Sequence, residues 1–220
     1  MKIYLAAPLF SESEFLYNEI LADQFIAMGY EVYAPQRNTA INDKTKSADS
    51  IAIFNGDTEQ LESSDILVAV LDGIAVDAGV AAEIGYMAAK GKKIYGLLTD
   101  GRESSKTVNQ AKIEMLNGVA ENQFSYVNLY VVGAIKMYGE IFTSRQDLME
   151  HLEVILKYKI GDNVLITSKY FNLENFPAVV MSDCWIEDEG VIMLTVTPAD
   201  GEDGGAFDVM LKEIVGFNKK

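Results

Sequence analysis

The feature that most constrains the fold is residues 65–73, DILVAVLDG. Its apolar run shows no alternation. A strand with one wet face would place a polar residue at every second position, so this run reads as a central strand covered on both faces. The flanking segments supply the covers. KIYLAAP (2–8) reads as a buried strand. SESEFLYNEILADQFIAMGY (11–30) carries Phe15, Leu16, Ile20, Leu21, Phe25 and Met28 at a helical period, and Gly29 closes it. EVYAP is a short strand ended by Pro35, QRNTAINDKTKSADS is polar and loop-like, and SIAIFNGDTEQLESS is a helix. After the central strand come a helix, AGVAAEIGYMAAKG, and a strand, KKIYGLLTD. KTVNQAKIEMLNGVAEN reads as helical, YVNLYVVGAI as strand-like, and SRQDLMEHLEVILKYK as a final amphipathic helix.

Strand and helix alternating at these spacings form βαβ units, hence a parallel sheet with helices on both faces. The expected fold is α/β, a three-layer, doubly wound sheet of the flavodoxin/Rossmann-like kind. Ligands of such folds sit at the carboxyl ends of strands. Those ends are AAPLF (6–10), LDGIAVDAG (71–79) and TDGRES (99–104). From Gly161 the grammar changes to short strands and turns: NVLITSKYF, FPAVVMSDCWIEDEG and VIMLTVTPADGEDGG. Residues 1–160 are therefore read as the α/β domain. Residues 161–220 are read as a small β-rich appendage ending in a short helix near FDVMLKEIV.

The net charge of −15 leaves no basic face for a phosphate backbone, so nucleic acid and anionic membrane are excluded as partners. The single cysteine, Cys184, rules out an internal disulfide and a cysteine-cluster metal site. The one histidine, His151, lies in a charged run and reads as a helix-surface residue. No apolar run approaches the roughly 20 residues of a membrane span, and no secretion signal is visible, so a soluble cytoplasmic protein is expected.

Glu83 breaks the pattern. It sits among Ala, Gly, Val, Ile and Met in AGVAAEIGYMAAKG, and its helical neighbours Gly79, Val80, Tyr86 and Met87 include no cation. Removing a lone carboxylate from water costs several kcal/mol. Glu83 therefore faces the surface, pairs with a distant cation, or is employed chemically. Asp72 and Asp77 lie just upstream, after the central strand. If the helix starts after Asp77, that residue caps it and Glu83 faces the same crevice from the first turns. Carboxylates gathered at one strand end suggest glycosyl chemistry or a metal. Gly79 and Gly85 do not make a GxGxxG or a P-loop spacing, and two acids at a helix start repel phosphate. Tyr4 is either a core aromatic or a phenol that orients a carboxylate. Asp57 alone would read as a solvated helix residue, and Asn128 as an ordinary strand-end amide.

Together these pieces resemble the nucleoside 2-deoxyribosyltransferase family. IYLAAPLF, then IFNGDTEQLESSDILVAVLDG, then VDAGVAAEIGYMAAKGKKIYGL follow its order and spacing over about the first 150 residues. The resemblance implies that Glu83 is the nucleophile. It would attack C1′ of a 2′-deoxyribonucleoside, and a second nucleobase would then resolve the deoxyribosyl–enzyme with net retention. It implies that Tyr4 positions Glu83, and that Asp77 and Asp57 contact base and sugar, one of them protonating the departing base. Ala7, Gly79 and Tyr130 fall at substrate-binding positions. Asn128 would reach a neighbouring subunit's site, implying a homo-oligomer with shared active sites. Pro8 and Leu9 replace an aromatic, and Tyr130 takes a place often held by Met, so the base pocket differs. The implied partners are 2′-deoxynucleosides and free nucleobases. No cofactor and no metal are expected, so EDTA should leave activity unchanged.

Two other readings compete. One is a 2′-deoxynucleoside 5′-monophosphate N-glycosidase, in which water resolves the intermediate. It needs phosphate-binding groups in the loop after the first strand, where this chain has FSESEF, with Ser11 and Ser13 beside Glu12 and Glu14. The other is a non-catalytic nucleotide-binding module, against which the intact set Tyr4, Asp57, Asp77, Glu83 and Asn128 speaks.

Overall fold

The computed structural model describes residues 1–40, 49–100, 127–182, 185–187, 191–200 and 205–218. The chain forms two compact units, Met1–Leu148 and Met149–Lys220. In the first, five parallel strands take the order β2-β1-β3-β4-β5. They are β1 (Lys2–Ala6), β2 (Glu31–Tyr33), β3 (Ile66–Val70), β4 (Lys93–Leu97) and β5 (Gly139–Phe142). Helices α1 (Glu12–Met28), α2 (Ser50–Ser63), α3 (Ala78–Ala89) and α4 (Leu129–Tyr138) connect or flank them, and α5 (Arg145–Lys157) spans the division between the units. This is the doubly wound α/β sheet that the strand–helix alternation predicts.

All five residues of β3 are buried, as its unbroken apolar run requires. On one face of the sheet Tyr4, Leu67 and Ile94 pack with Leu61 of α2, Val80, Ile84 and Met87 of α3, and Val132 and Ile135 of α4. Each fully buried side chain of this size contributes roughly 1.5–3 kcal/mol. Helix α1 begins with a reciprocal cap. The Ser11 hydroxyl accepts from the Glu14 N–H, and the Glu14 carboxylate accepts from the Ser11 N–H at 2.7 Å. It ends at Gly29, whose φ of 103° a residue with a side chain rarely adopts. The chain runs from β1 to one side of the sheet and returns to β3 on the other. The crevice at the carboxyl ends of β1 and β3 is thus the topological switch point, where such folds bind ligands.

Several expectations need correcting. YVNLYVVGAI is not a strand: Asn128 caps a helix, α4, with Val131, Val132 and Ile135 as its buried stripe. The β-branched residues favour a strand locally, but burial on one helical face overrides that preference. The strand β5, GEIF, follows it and was not foreseen. His151 is buried, at 2% exposure, rather than on the helix surface. The segment 106–122, read as helical, lies outside the described residues.

In the second unit an antiparallel sheet takes the order β10-β9-β7-β6-β11, with β8 also on β9. The strands are β6 (Asn163–Ser168), β7 (Leu173–Val180), β8 (Trp185–Glu187), β9 (Val191–Pro198), β10 (Phe207–Met210) and β11 (Ile214–Phe217). The C-terminal FDVMLKEIV is not a helix. It forms β10, a 3₁₀ turn (Leu211–Glu213) and β11. In a flat sheet the edges β10 and β11 would stand about 19 Å apart. The short turn spans at most about 14 Å, so the sheet must curl. The curl encloses an apolar core of Val164, Ile166, Ala178, Val180, Leu194, Val196 and Val209.

Candidate active site

Tyr4 lies in the middle of β1, and β-pairing sets it beside Tyr33 of β2. Its ring is wholly buried. A buried phenol needs a partner for its hydroxyl, and here the Tyr4 Oη donates to Glu83 Oε1 at 2.6 Å. Glu83 sits in the second turn of α3, whose first turns are built largely from small residues, Ala78, Gly79, Ala81 and Ala82. Burial pushes the Glu83 carboxyl up to about 7. The Tyr4 hydrogen bond pulls it down, while the charges of Asp57 and Asp77 push it further up. Burial, then the charge of Glu83, raises the Tyr4 phenol far above its usual range, so it remains a neutral donor.

A second phenol–carboxyl pair stands beside the first. Tyr33 Oη donates to Asp57 Oδ1 at 2.8 Å, and Asn38 Nδ2 donates to Tyr33 Oη at 3.1 Å. The rings of Tyr4 and Tyr33 are 5.3 Å apart, tilted by 39°. Burial raises the half-buried Asp57 carboxyl above its ordinary value, and the Tyr33 hydrogen bond opposes that rise. Asp57, on α2, and Glu83, on α3, both line a cavity of about 190 Å³ between the two helices. Phe54, Thr58, Gly79 and Tyr86 complete much of its wall.

Asp77 is the N-cap of α3. Its Oδ1 accepts from the N–H groups of Gly79 at 2.9 Å and Val80 at 3.1 Å. A Cβ at Gly79 would come within 3.0 Å of that oxygen, so glycine leaves room for the cap. Asp72 has a structural task, accepting from the Thr99 N–H and hydroxyl and from the Asp100 N–H, which ties the end of β3 to that of β4. Among the described residues, no group of three or more His, Cys, Asp or Glu side chains could hold a metal ion.

The structure thus brings Tyr4, Glu83, Asp57, Asp77 and Gly79 together. Ala7 lies just after β1 and lines a separate narrow crevice with Leu9, Asn18 and Gln36. Asn128 caps α4, accepting from the Tyr130 N–H at 2.9 Å. Asn128 and Tyr130 are exposed and line no wall of the cavity. Sequence reasoning missed Tyr33, Asn38, Phe54 and Tyr86. For Tyr33 a signal existed: the second strand carries a tyrosine shortly before Pro35, as the first carries Tyr4 before Pro8.

Fold and cavity together define a doubly wound α/β protein with carboxyl groups gathered at its switch point. The chain belongs to the nucleoside 2-deoxyribosyltransferase family, whose model matches residues 3–149, close to the extent of the first unit. It is similar to the crystal structure of a conserved protein from Enterococcus faecalis V583. The two are 48% identical, with 68% of this chain and 94% of that one covered and a TM-score of 0.58. A 2-deoxyribosyltransferase from Leishmania mexicana is 20% identical over 69% of this chain and 96% of its own, with a TM-score of 0.48. An uncharacterised protein of Ureaplasma parvum is 28% identical over 174 residues, which are 71% of this chain and 97% of that protein. By its family the protein is a nucleoside deoxyribosyltransferase-like enzyme.

Proposed function

We propose that the protein transfers 2-deoxyribose between nucleobases through a covalent deoxyribosyl–Glu83 intermediate, with retention at C1′, in nucleoside salvage in the cytoplasm. The observation that carries this is the Tyr4–Glu83 hydrogen bond at 2.6 Å, which aims a mostly buried carboxylate into a cavity. As the C1′–N bond breaks, a Glu83 oxygen forms a bond to C1′ and the departing base takes a proton from Asp57 or Asp77. The incoming base then attacks C1′, releases Glu83 and returns the proton, so charge and atoms balance. Two inversions give retention, as in retaining glycosidases. Gly79 and Asp57 contact substrate from the cavity wall, and Ala7 from the end of β1. Asn128 and Tyr130 serve a neighbouring subunit of a homo-oligomer. Exposed Leu129, Tyr130 and Met137 on α4 favour that assembly.

One observation weighs against the monophosphate N-glycosidase. The N-terminus of α1, after β1 at the switch point, is where a phosphate would dock in such a fold. Here the Glu14 carboxylate already occupies it, accepting from the N–H groups of Phe10 at 2.9 Å and Ser11 at 2.7 Å. A free nucleoside fits that arrangement better than a nucleotide.

The test is base exchange. The protein is incubated with 2′-deoxyinosine and adenine, and separately with thymidine and adenine, without metal. New 2′-deoxyadenosine is expected, with Glu83→Ala slower by roughly 10³-fold or more. Free base without a new nucleoside would put the hydrolase first.

A further inference from the structure

The geometry behind Asp57 resembles that behind Glu83, yet nothing assigns a role to it. Tyr33 does not line the cavity; it stands behind a residue that does. An amide nitrogen can only donate. Asn38 Nδ2 therefore uses an acceptor site on Tyr33 Oη, at 3.1 Å, and the single phenolic proton is directed to Asp57 Oδ1, at 2.8 Å. With Oδ1 accepting, any proton that Asp57 carries must sit on Oδ2.

We propose that Asn38 and Tyr33 are a positioning relay that fixes one oxygen of Asp57 and leaves the other to exchange a proton with the nucleobase. The inference rests on the transferase reading and deepens it by choosing Asp57 over Asp77 as the proton carrier. Each holds its Oδ1 in hydrogen bonds, but Asp57 lines the cavity with Glu83, whereas Asp77 caps α3 and lines no wall of it. As the C1′–N bond breaks, the electron pair goes to the base nitrogen, which takes the proton from Asp57 Oδ2. When the incoming base attacks, its N–H proton returns to the same oxygen. The relay holds that oxygen still through both steps. The tilted, neighbouring rings of Tyr4 and Tyr33 keep the two phenols, and so the two carboxyl groups, in fixed relation.

The groups facing Asp57 are Tyr33 from β2, Tyr4 from β1 and Glu83 from α3. The phenol of Tyr33 stabilises the Asp57 anion, so its removal makes Asp57 hold its proton more tightly. Two readouts follow. In Tyr33→Phe, which keeps the ring, base exchange falls roughly 10- to 100-fold. The limb of the kcat/KM profile that reports Asp57 moves to higher pH, because Asp57 must be protonated in the step. Asn38→Ala moves that limb the same way by less. Independently of turnover, the carboxyl ¹³C titration midpoint of Asp57 rises in Tyr33→Phe. Active wild type with an unmoved limb and an unmoved Asp57 midpoint in the variant overturns the relay alone. Inert wild type with a raised midpoint overturns the transferase reading and leaves the hydrogen-bond relay standing. A variant whose rate falls with that limb in place shows a packing role for Tyr33 and overturns the proposal.

Discussion

The two units treat their interiors differently. In the appendage the patterning rules hold along β6, which alternates and sends Val164 and Ile166 into an apolar core, while the buried Ser168 at its end accepts from the Phe171 N–H. In the α/β unit the same rules hold for β3 and then fail at a few places. Tyr4 puts a hydroxyl inside the sheet, Glu83 puts a carboxyl against it, and Asp57 adds a second beside a cavity. A chain built only for stability would fill those places with Leu or Met. Sites where a local rule is broken without a structural gain are where function is expected.

The sharpest way to break this comparison is Glu83→Gln. Activity should fall by roughly 10³-fold or more, because an amide does not form the intermediate. Stability should move the other way, with a size set by pH. The folded state raises the Glu83 carboxyl to about 7, above its ordinary 4.5. The stability it contributes is fully present below pH 4.5 and is lost as pH rises through about 7. Above that its ionisation costs the fold about 3 kcal/mol. Glutamine never ionises and can still accept from Tyr4. The variant should therefore unfold at higher denaturant than wild type at pH 8, and near the wild-type midpoint at pH 4.5. An equal difference at both values would mean that Glu83 is not an ionisation burden on this fold.

The appendage should give the opposite result. Leu194, 1% exposed, sits in its apolar core. Leu194→Ala should cost about 2–5 kcal/mol from lost transfer energy and a cavity. Urea unfolding should show the same loss at pH 5 and pH 8, because no titrating group is involved. A pH-dependent loss would show that this core is not as plain as its pattern.

How much was legible in sequence follows the same division. β3 and α3 were readable because an unbroken apolar run and a small-residue helix each permit one reading. Glu83 was conspicuous because it stood in that helix without a cation at helical spacing. α4 was misread because Val131, Val132 and Ile135 prefer strands locally, and the decision came from the sheet face they cover. β10 and β11 were misread because FDVMLKEIV fits a helical period as well as two short alternating strands. Asp57 was invisible to spacing, since only the fold lays α2 across from α3. Tyr33 was missed for the same reason: its partner is 24 residues away.

The smallest effect tests whether α2 carries Asp57 as a rigid part. The Lys92 amine donates to the Leu61 carbonyl at 3.3 Å, to Glu62 at 2.5 Å and to Ser64 at 2.7 Å. A cation there satisfies carbonyls at the end of α2 and favours the negative end of its dipole. Lys92→Ala should cost about 1 kcal/mol, because the partly exposed amine keeps some of its hydration in either state. Asp57 lies in the middle of α2 and is held separately by Tyr33, so base exchange should stay within about twofold of wild type. Thermal melts and initial rates on the same preparation decide it. If the rate drops by tenfold while the melt moves little, Asp57 depends on the seating of the whole helix. The Tyr33 bond would then be too weak to hold it, and the contrast between site and scaffold would narrow to a continuum within the α/β unit.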